Sequence, residues 1–141
     1  MAELELADAD PVSVLLAWLQ QSAEVTDALG GPGRVSGVAE APWPHLIVGH
    51  GPGGDLRSLN WAVEPEVTLE LRGDPGGWPG PAELRRILLR CAKVAKEVVE
   101  SPHVPGRPVI SGVKPSGLLI SSPLVDGQPR WLLNLAVTIH P

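Results

Sequence analysis

The sequence predicts an α+β fold: a mixed, mainly antiparallel sheet of four to five strands with two helices packed on one face. Three observations predict it. Residues 10–21, DPVSVLLAWLQQ, carry Val12, Leu15, Leu16 and Leu19 at helical spacing. Residues 59–73 alternate, with Trp61, Val63, Val67, Leu69 and Leu71 on one parity and Glu66, Thr68, Glu70 and Arg72 on the other. A second helical stripe, from Pro81 to about Val99, separates these strands from an alternating C-terminal run.

Each element has a local cause. Asp10 fits an N-cap, and Pro11 then falls at the first helical position, where a missing N–H costs nothing. A shorter turn of helix, SAEVTDALGG, stops at Gly30. RVSGV and HLIVGH read as short strands. Pro65 interrupts the ladder of the long strand, so an edge position or a bulge is expected there. GDPGGWPGP is a loop. The second helix buries Leu84, Ile87, Leu88, Cys91, Val94, Ala95 and Val98. Pro102, Pro105 and Pro108, spaced by three, suit an extended polyproline linker over SPHVPGRP. Asp126-Gly127 signals a hairpin turn. In RWLLNLAVTIHP, Trp131, Leu133, Leu135, Val137 and Ile139 alternate with Leu132, Asn134, Ala136 and Thr138, which suggests a strand covered on both faces.

The 141 residues and 14.9 kDa suit one domain over 1–141, with residues 1–9 a flexible acidic N-terminus. Apolar residues make up 43%, enough for a core, while 16 Gly and 16 Pro call for stiff, irregular connections. The chain has five Trp but no Phe or Tyr, a bias without a physical account. A net charge of −5 argues against a general nucleic-acid binder, since phosphate attraction needs a basic field. Lone Cys91 excludes an internal disulfide and a cysteine zinc site, and fits a reducing compartment. No apolar run is long enough to span a bilayer, and the acidic N-terminus is unlike a signal peptide. Assembly in a cytosol follows.

No catalytic constellation emerges, and no cofactor or metal set. His45, His50, His103 and His140 have no metal-ligand spacing, and His103 and His140 read as solvated. HGPGGD at 50–55 lacks the Lys and Ser/Thr of a phosphate loop and reads as a flexible turn between strands. Ser121 and Ser122 lack a nucleophile-elbow context. Cys91 reads as a buried thiol. Glu66 and Glu70 share a strand face and could in principle do acid–base work, though a solvated face explains them.

Surface apolarity is the informative feature. At about 100° per residue, Val14 and Trp18 fall roughly 200° and 240° from Val12, outside the arc that one sheet covers. Either the N-terminal segment or the Trp43 loop covers them, or a neighbouring subunit does. On the second helix Leu89 sits among Arg85, Arg86, Arg90, Lys93 and Lys96, five of the eleven cations, like an interface anchor with a charged rim. Glu3, Glu5, Asp8 and Asp10 could meet that basic face in a head-to-tail assembly. Trp78, among glycines and prolines on a loop tip, is either folded back on the sheet or a contact residue for a partner, and the contact is favoured. The candidate interface is therefore Val14, Trp18, Trp78, Arg86, Leu89, Arg90 and Lys93.

The ordered pattern, an amphipathic first helix, then RVSG, PWPHLIVGH, PEVTLELRGD, PAELRRILLRCAKVAKEV and a closing RWLLNLAVTIHP, resembles the tail terminator proteins of long-tailed bacteriophages, especially those of actinobacterial hosts. The resemblance covers roughly residues 10–141, and no single motif defines it. It implies a non-enzymatic virion protein at the head-proximal end of the tail. Six copies would form a ring there, stop tube polymerisation and offer the head-joining surface. The implied partners are further copies of itself, the tail tube protein and the neck proteins; DNA would pass through the ring without sequence-specific binding. Low phosphate affinity suits such a lumen, and Glu66 and Glu70 are its candidate lining. Three other readings stand beside it. One is a tail-completion or head–tail adaptor protein. A second is a small-molecule module using HGPGGD and His45. The third is a small enzyme using Glu66 and Glu70.

Overall fold

The computed structural model describes residues 9–58, 62–101 and 107–140, with backbone alone for 52–58, 62 and 63. The elements are α1 (Pro11–Gln21), α2 (Ala23–Leu29), β1 (Val35–Ser36), β2 (His45–Ser58), β3 (Ala62–Arg72), α3 (Pro81–Lys96), β4 (Val109–Pro115), β5 (Ile120–Ser121) and β6 (Arg130–His140). A 3-10 turn, Glu97–Glu100, continues α3. The sheet runs β1-β2-β3-β6-β4, with β5 also paired to β6. Only β1–β2 is parallel among these pairings, which makes the sheet mixed and mainly antiparallel. The α+β class is as the sequence predicts.

The helices begin and end where their caps require. The Asp10 carboxylate accepts hydrogen bonds from the Val12 N–H (3.0 Å) and the Ser13 hydroxyl (2.7 Å). Ser22 closes α1 and opens α2, accepting from the Val25 N–H at 3.3 Å. Gly30, at φ 90°, ends α2 in the left-handed region that favours glycine. The Arg34 guanidinium donates to the Leu29 carbonyl (2.8 Å) and the Trp43 carbonyl (2.7 Å), tying the end of α2 to the chain entering β2.

Leu15 and Leu19 from α1, Leu84 and Leu88 from α3, Leu46, Leu69, Leu71, Leu135 and Ile139 from the sheet are fully buried together. Cys91 lies in this core, and burial pushes its thiol pKa up to about 12. α1 and α3 both pack on the sheet, while α2 packs against α3. On β6 the predicted inner parity is sound: Leu133, Leu135, Val137 and Ile139 are buried. The second parity is less covered than expected. Ala136 is buried, but Leu132, Asn134 and Thr138 are only half-buried, sheltered by cross-strand neighbours instead of a helix.

Two segments depart from the sequence expectation. The first is HGPGGD, which is not a turn. Residues 50–55 lie inside β2, where the five residues from His50 to Gly54 stand opposite three of β3, Val67 to Pro65. The sequence's turn chemistry is spent on a bulge, and Pro65 sits beside it in an interior strand. The second is the proline-rich stretch after α3. Residues 102–106 lie outside the described residues, as do Trp61 and residues 1–8. Its continuation, Val109–Pro115, is strand β4, paired along the C-terminal half of β6 through a bulge between Ile110 and Gly112. That strand raises the count to six. Its sequence, VISGVKP, is too broken by Gly and Pro to read as a strand, and β6 supplies the pairing edge that makes it one.

The β2 bulge requires glycine at position 51. A Cβ there would lie 2.6 Å from the Glu66 Cβ and 3.1 Å from the Glu66 carbonyl carbon. Gly51→Ala is expected to cost about 1–3 kcal/mol, the usual range for forced overpacking, read as a lower urea midpoint at unchanged slope.

Candidate functional site

The predicted interface residues fall in three places. Val14 and Trp18 project from α1, half-buried, and pack against the core. The Trp18 indole N–H donates to the Val94 carbonyl at 2.7 Å, tying α1 to α3. The two side chains line a groove of about 580 Å³ together with Val98, Val99, Arg107 and the start of β4. The N-terminal segment proposed as a cover lies outside the described residues, and the Trp43 loop is not among the groove's walls.

The α3 group is solvent-facing. Leu89 is 39% exposed among exposed Arg85, Arg86, Arg90, Lys93 and Lys96. Its charges are already partly engaged: Lys93 lies 3.9 Å from Glu24 on α2, and Arg86 lies 3.5 Å from Glu83 one turn back. Both pairs are exposed, so each contributes little. Of the acidic residues expected to meet this face in a neighbour, Asp10 is used as the α1 cap and lies 3.9 Å from His50. Glu3, Glu5 and Asp8 are outside the described residues.

Trp78 stands apart, 65% exposed on the loop between β3 and α3. The loop is held by its own backbone: the Asp74 N–H donates to the Trp78 carbonyl at 2.6 Å, and the Gly77 N–H to the Asp74 carbonyl at 2.8 Å. The neighbouring β5–β6 turn carries fully exposed Val125. Gln128 joins the two loops. Its side-chain amide donates to the Gly73 carbonyl at 2.7 Å, and the Gly73 N–H donates to the Pro129 carbonyl at 2.9 Å. Val125 carries no periodic signal, so sequence reasoning passed over it. Its exposed position beside the predicted Asp126-Gly127 turn was the available clue.

Glu66 and Glu70 share a sheet face with Glu64, opposite in parity to the buried Val67, Leu69 and Leu71. They are not solvated carboxylates. The Ser116 hydroxyl donates to Glu66 at 3.0 Å. Glu70 is hydrogen-bonded by the Arg72 guanidinium and lies 3.8 Å from Arg130, which itself donates to the Ser122 carbonyl at 2.8 Å. Farther along, the Thr68 hydroxyl donates to Asn134 at 2.7 Å, and Glu64 takes the Thr138 hydroxyl at 3.2 Å and Lys114 at 3.8 Å. The face is therefore a ladder of paired groups, with Glu64, Glu66 and Glu70 balanced by Arg72, Lys114 and Arg130. Neither carboxylate stands free beside the other: Arg72 and Arg130 engage Glu70, and Ser116 engages Glu66.

The small-molecule alternative loses its residues. HGPGGD is strand, and His45 is wholly buried. The His45 Nε2 meets the Ser36 hydroxyl at 2.7 Å, and its ring stands edge-on to Trp43 at 6.4 Å. His140 is half-buried, and His103 lies outside the described residues. Among the described residues no three His, Cys, Asp or Glu side chains cluster as a metal site, and no helix is long and apolar enough to cross a membrane.

No protein-family model matches the chain, and no curated protein matches it in sequence. Its fold is shared with a chain of known structure. A chain from the virion of a native gene transfer agent particle superposes with a TM-score of 0.65 at 16% identity, over 96% of this chain and 98% of that chain.

Burial gives His45 a pH signature. Desolvation lowers its pKa from the ordinary 6.5, opposed by the Glu40 carboxylate and aided by Arg34. Between 6.5 and the lower folded value the unfolded chain binds more protons, so stability is full above 6.5, falls as the pH drops below it, and levels off beneath the folded value. Urea midpoints measured from pH 7.5 downward should show this loss, and His45→Gln should flatten that part of the curve.

Proposed function

We propose that this chain is a structural protein of a phage-type virion. Within that class it closes the head-proximal end of the tail tube. Six copies form a ring that stops tube growth and presents the surface to which the head joins. The observation that carries the proposal is the fold likeness to a virion chain over nearly the whole of both chains. At this identity the likeness speaks to fold, and the tail-terminator pattern of the sequence supplies the role.

Three physical features support assembly over chemistry. Leu89 on α3 and Trp78 on its loop leave apolar surface in water, beside charges that can form a rim. A closed ring needs a heterologous contact, with different patches meeting at each junction, and these patches lie on different elements. The paired, charge-balanced sheet face around Glu66 and Glu70 suits a lumen, because DNA phosphates release few counterions on passing a neutral wall. Tail tube protein and neck proteins are then the partners on the two faces of the ring.

The test is direct. Added to the polymerising tail tube protein of the same phage, the chain should shorten the tubes and be seen by gold labelling at one tip of each. Tubes of undiminished length with bare tips would sink the proposal. Tips left bare while the chain binds purified neck proteins would favour the adaptor reading. Leu89→Glu, at an exposed position, should leave the melting temperature within a few degrees and weaken ring formation, scored by light scattering and negative stain.

A further inference from the structure

Two apolar features among the described residues lie at opposite ends of β6. Trp78 and Val125 crown the end where Arg72 pairs with Arg130. The groove beside Trp18 lies at the other end, where Val109 pairs with His140. The ten residue steps from Arg130 to His140 span roughly 34 Å at strand rise. One end is a projection and the other a hollow. The projection is stiff, because Gln128 and Gly73 clamp its two loops together before any partner arrives. Little ordering remains to be done on binding, which favours an anchor role for the indole.

From this arrangement we infer that Trp78 and Val125 of one copy seat in the groove walled by Val14, Trp18, Val98 and Val99 of the next. The groove, at about 580 Å³, accommodates an indole ring with a short aliphatic side chain beside it. The charges agree. Asp74 and Asp126 flank the projection, and Arg107 lines the groove. Asp10, also on the groove wall, caps α1 and lies 3.9 Å from His50, while Asp74 and Asp126 accept the Gly76 and Gln128 N–H groups of their own loops. The contact joins unlike surfaces, so a joined pair keeps one unused projection on one copy and one unused groove on the other for further neighbours. It deepens the ring reading and rests on it only in that both require contact between copies.

Two variants and their mixture test it. Trp78→Asp with Val125→Asp removes the projection. Ala17→Arg with Val99→Arg fills the groove, at positions that are already exposed. Circular dichroism and melting curves confirm folding. Sedimentation velocity should show the wild-type chain associating with concentration, and each variant weakened by roughly thirtyfold or more, as for a buried Trp anchor. An equimolar mixture of the two should form a dimer and nothing larger, since one intact projection meets one intact groove. Either variant associating like the wild type, a mixture that stays monomeric, or a wild-type chain monomeric at every concentration overturns the contact. A groove-filled variant that melts earlier but associates normally assigns the groove to residues 1–8 of its own chain and also overturns it. Tube capping is scored separately: variants that still cap tubes while failing these tests remove this contact and leave the capping role standing.

Discussion

The pairing of β3 with β6 is the constraint on which the rest of this structure depends. It runs from Arg72 opposite Arg130 to Val63 opposite Ile139. On one face it aligns Val67 with Leu135 and Leu69 with Leu133, the floor against which α1 and α3 bury their leucines. On the other it aligns Thr68 with Asn134 and places Glu70 between Arg72 and Arg130. A slip of one residue would exchange the two faces, sinking carboxylates into the core. The polar ladder therefore reinforces the register that the hydrophobic pattern selects.

The same pairing sets out the surfaces. Because β6 lies inside the sheet and runs its length, its two ends define two ends of the molecule. Loops gathered at its N-terminal end carry Trp78 and Val125, and the chain around its C-terminal end leaves the groove beside Trp18. α3 spans between them and turns its basic edge, with Leu89, to solvent. These exposed apolar groups are the surface on which the proposed assembly rests.

Buried polar groups tell a complementary story. Arg34 and His45 flank the segment that joins β1 to β2, and the buried Arg34 Nε has no hydrogen-bond partner among the described residues. Such groups cost stability and are tolerated where a loop must be held in one place. Here they fix the Trp43 region against the sheet, through the Trp43 carbonyl and the edge-on ring contact.

The sequence by itself determined the class, the helices, the long alternating strands and the burial of Cys91, because periodicity and caps are local signals. It named Leu89 and Trp78 as exposed apolar residues for the same reason: helical phase and loop chemistry are written in neighbouring residues. Tertiary structure alone decided that HGPGGD is a bulged strand and that VISGVKP is a strand at all, since in both cases a partner strand overrides weak local preference. It also decided that Glu66 and Glu70 are paired instead of free, because Ser116 and Arg130 come from far along the chain. The groove beside Trp18, and its place at the far end of β6 from Trp78, are products of packing between distant segments, and no local pattern encodes a hollow.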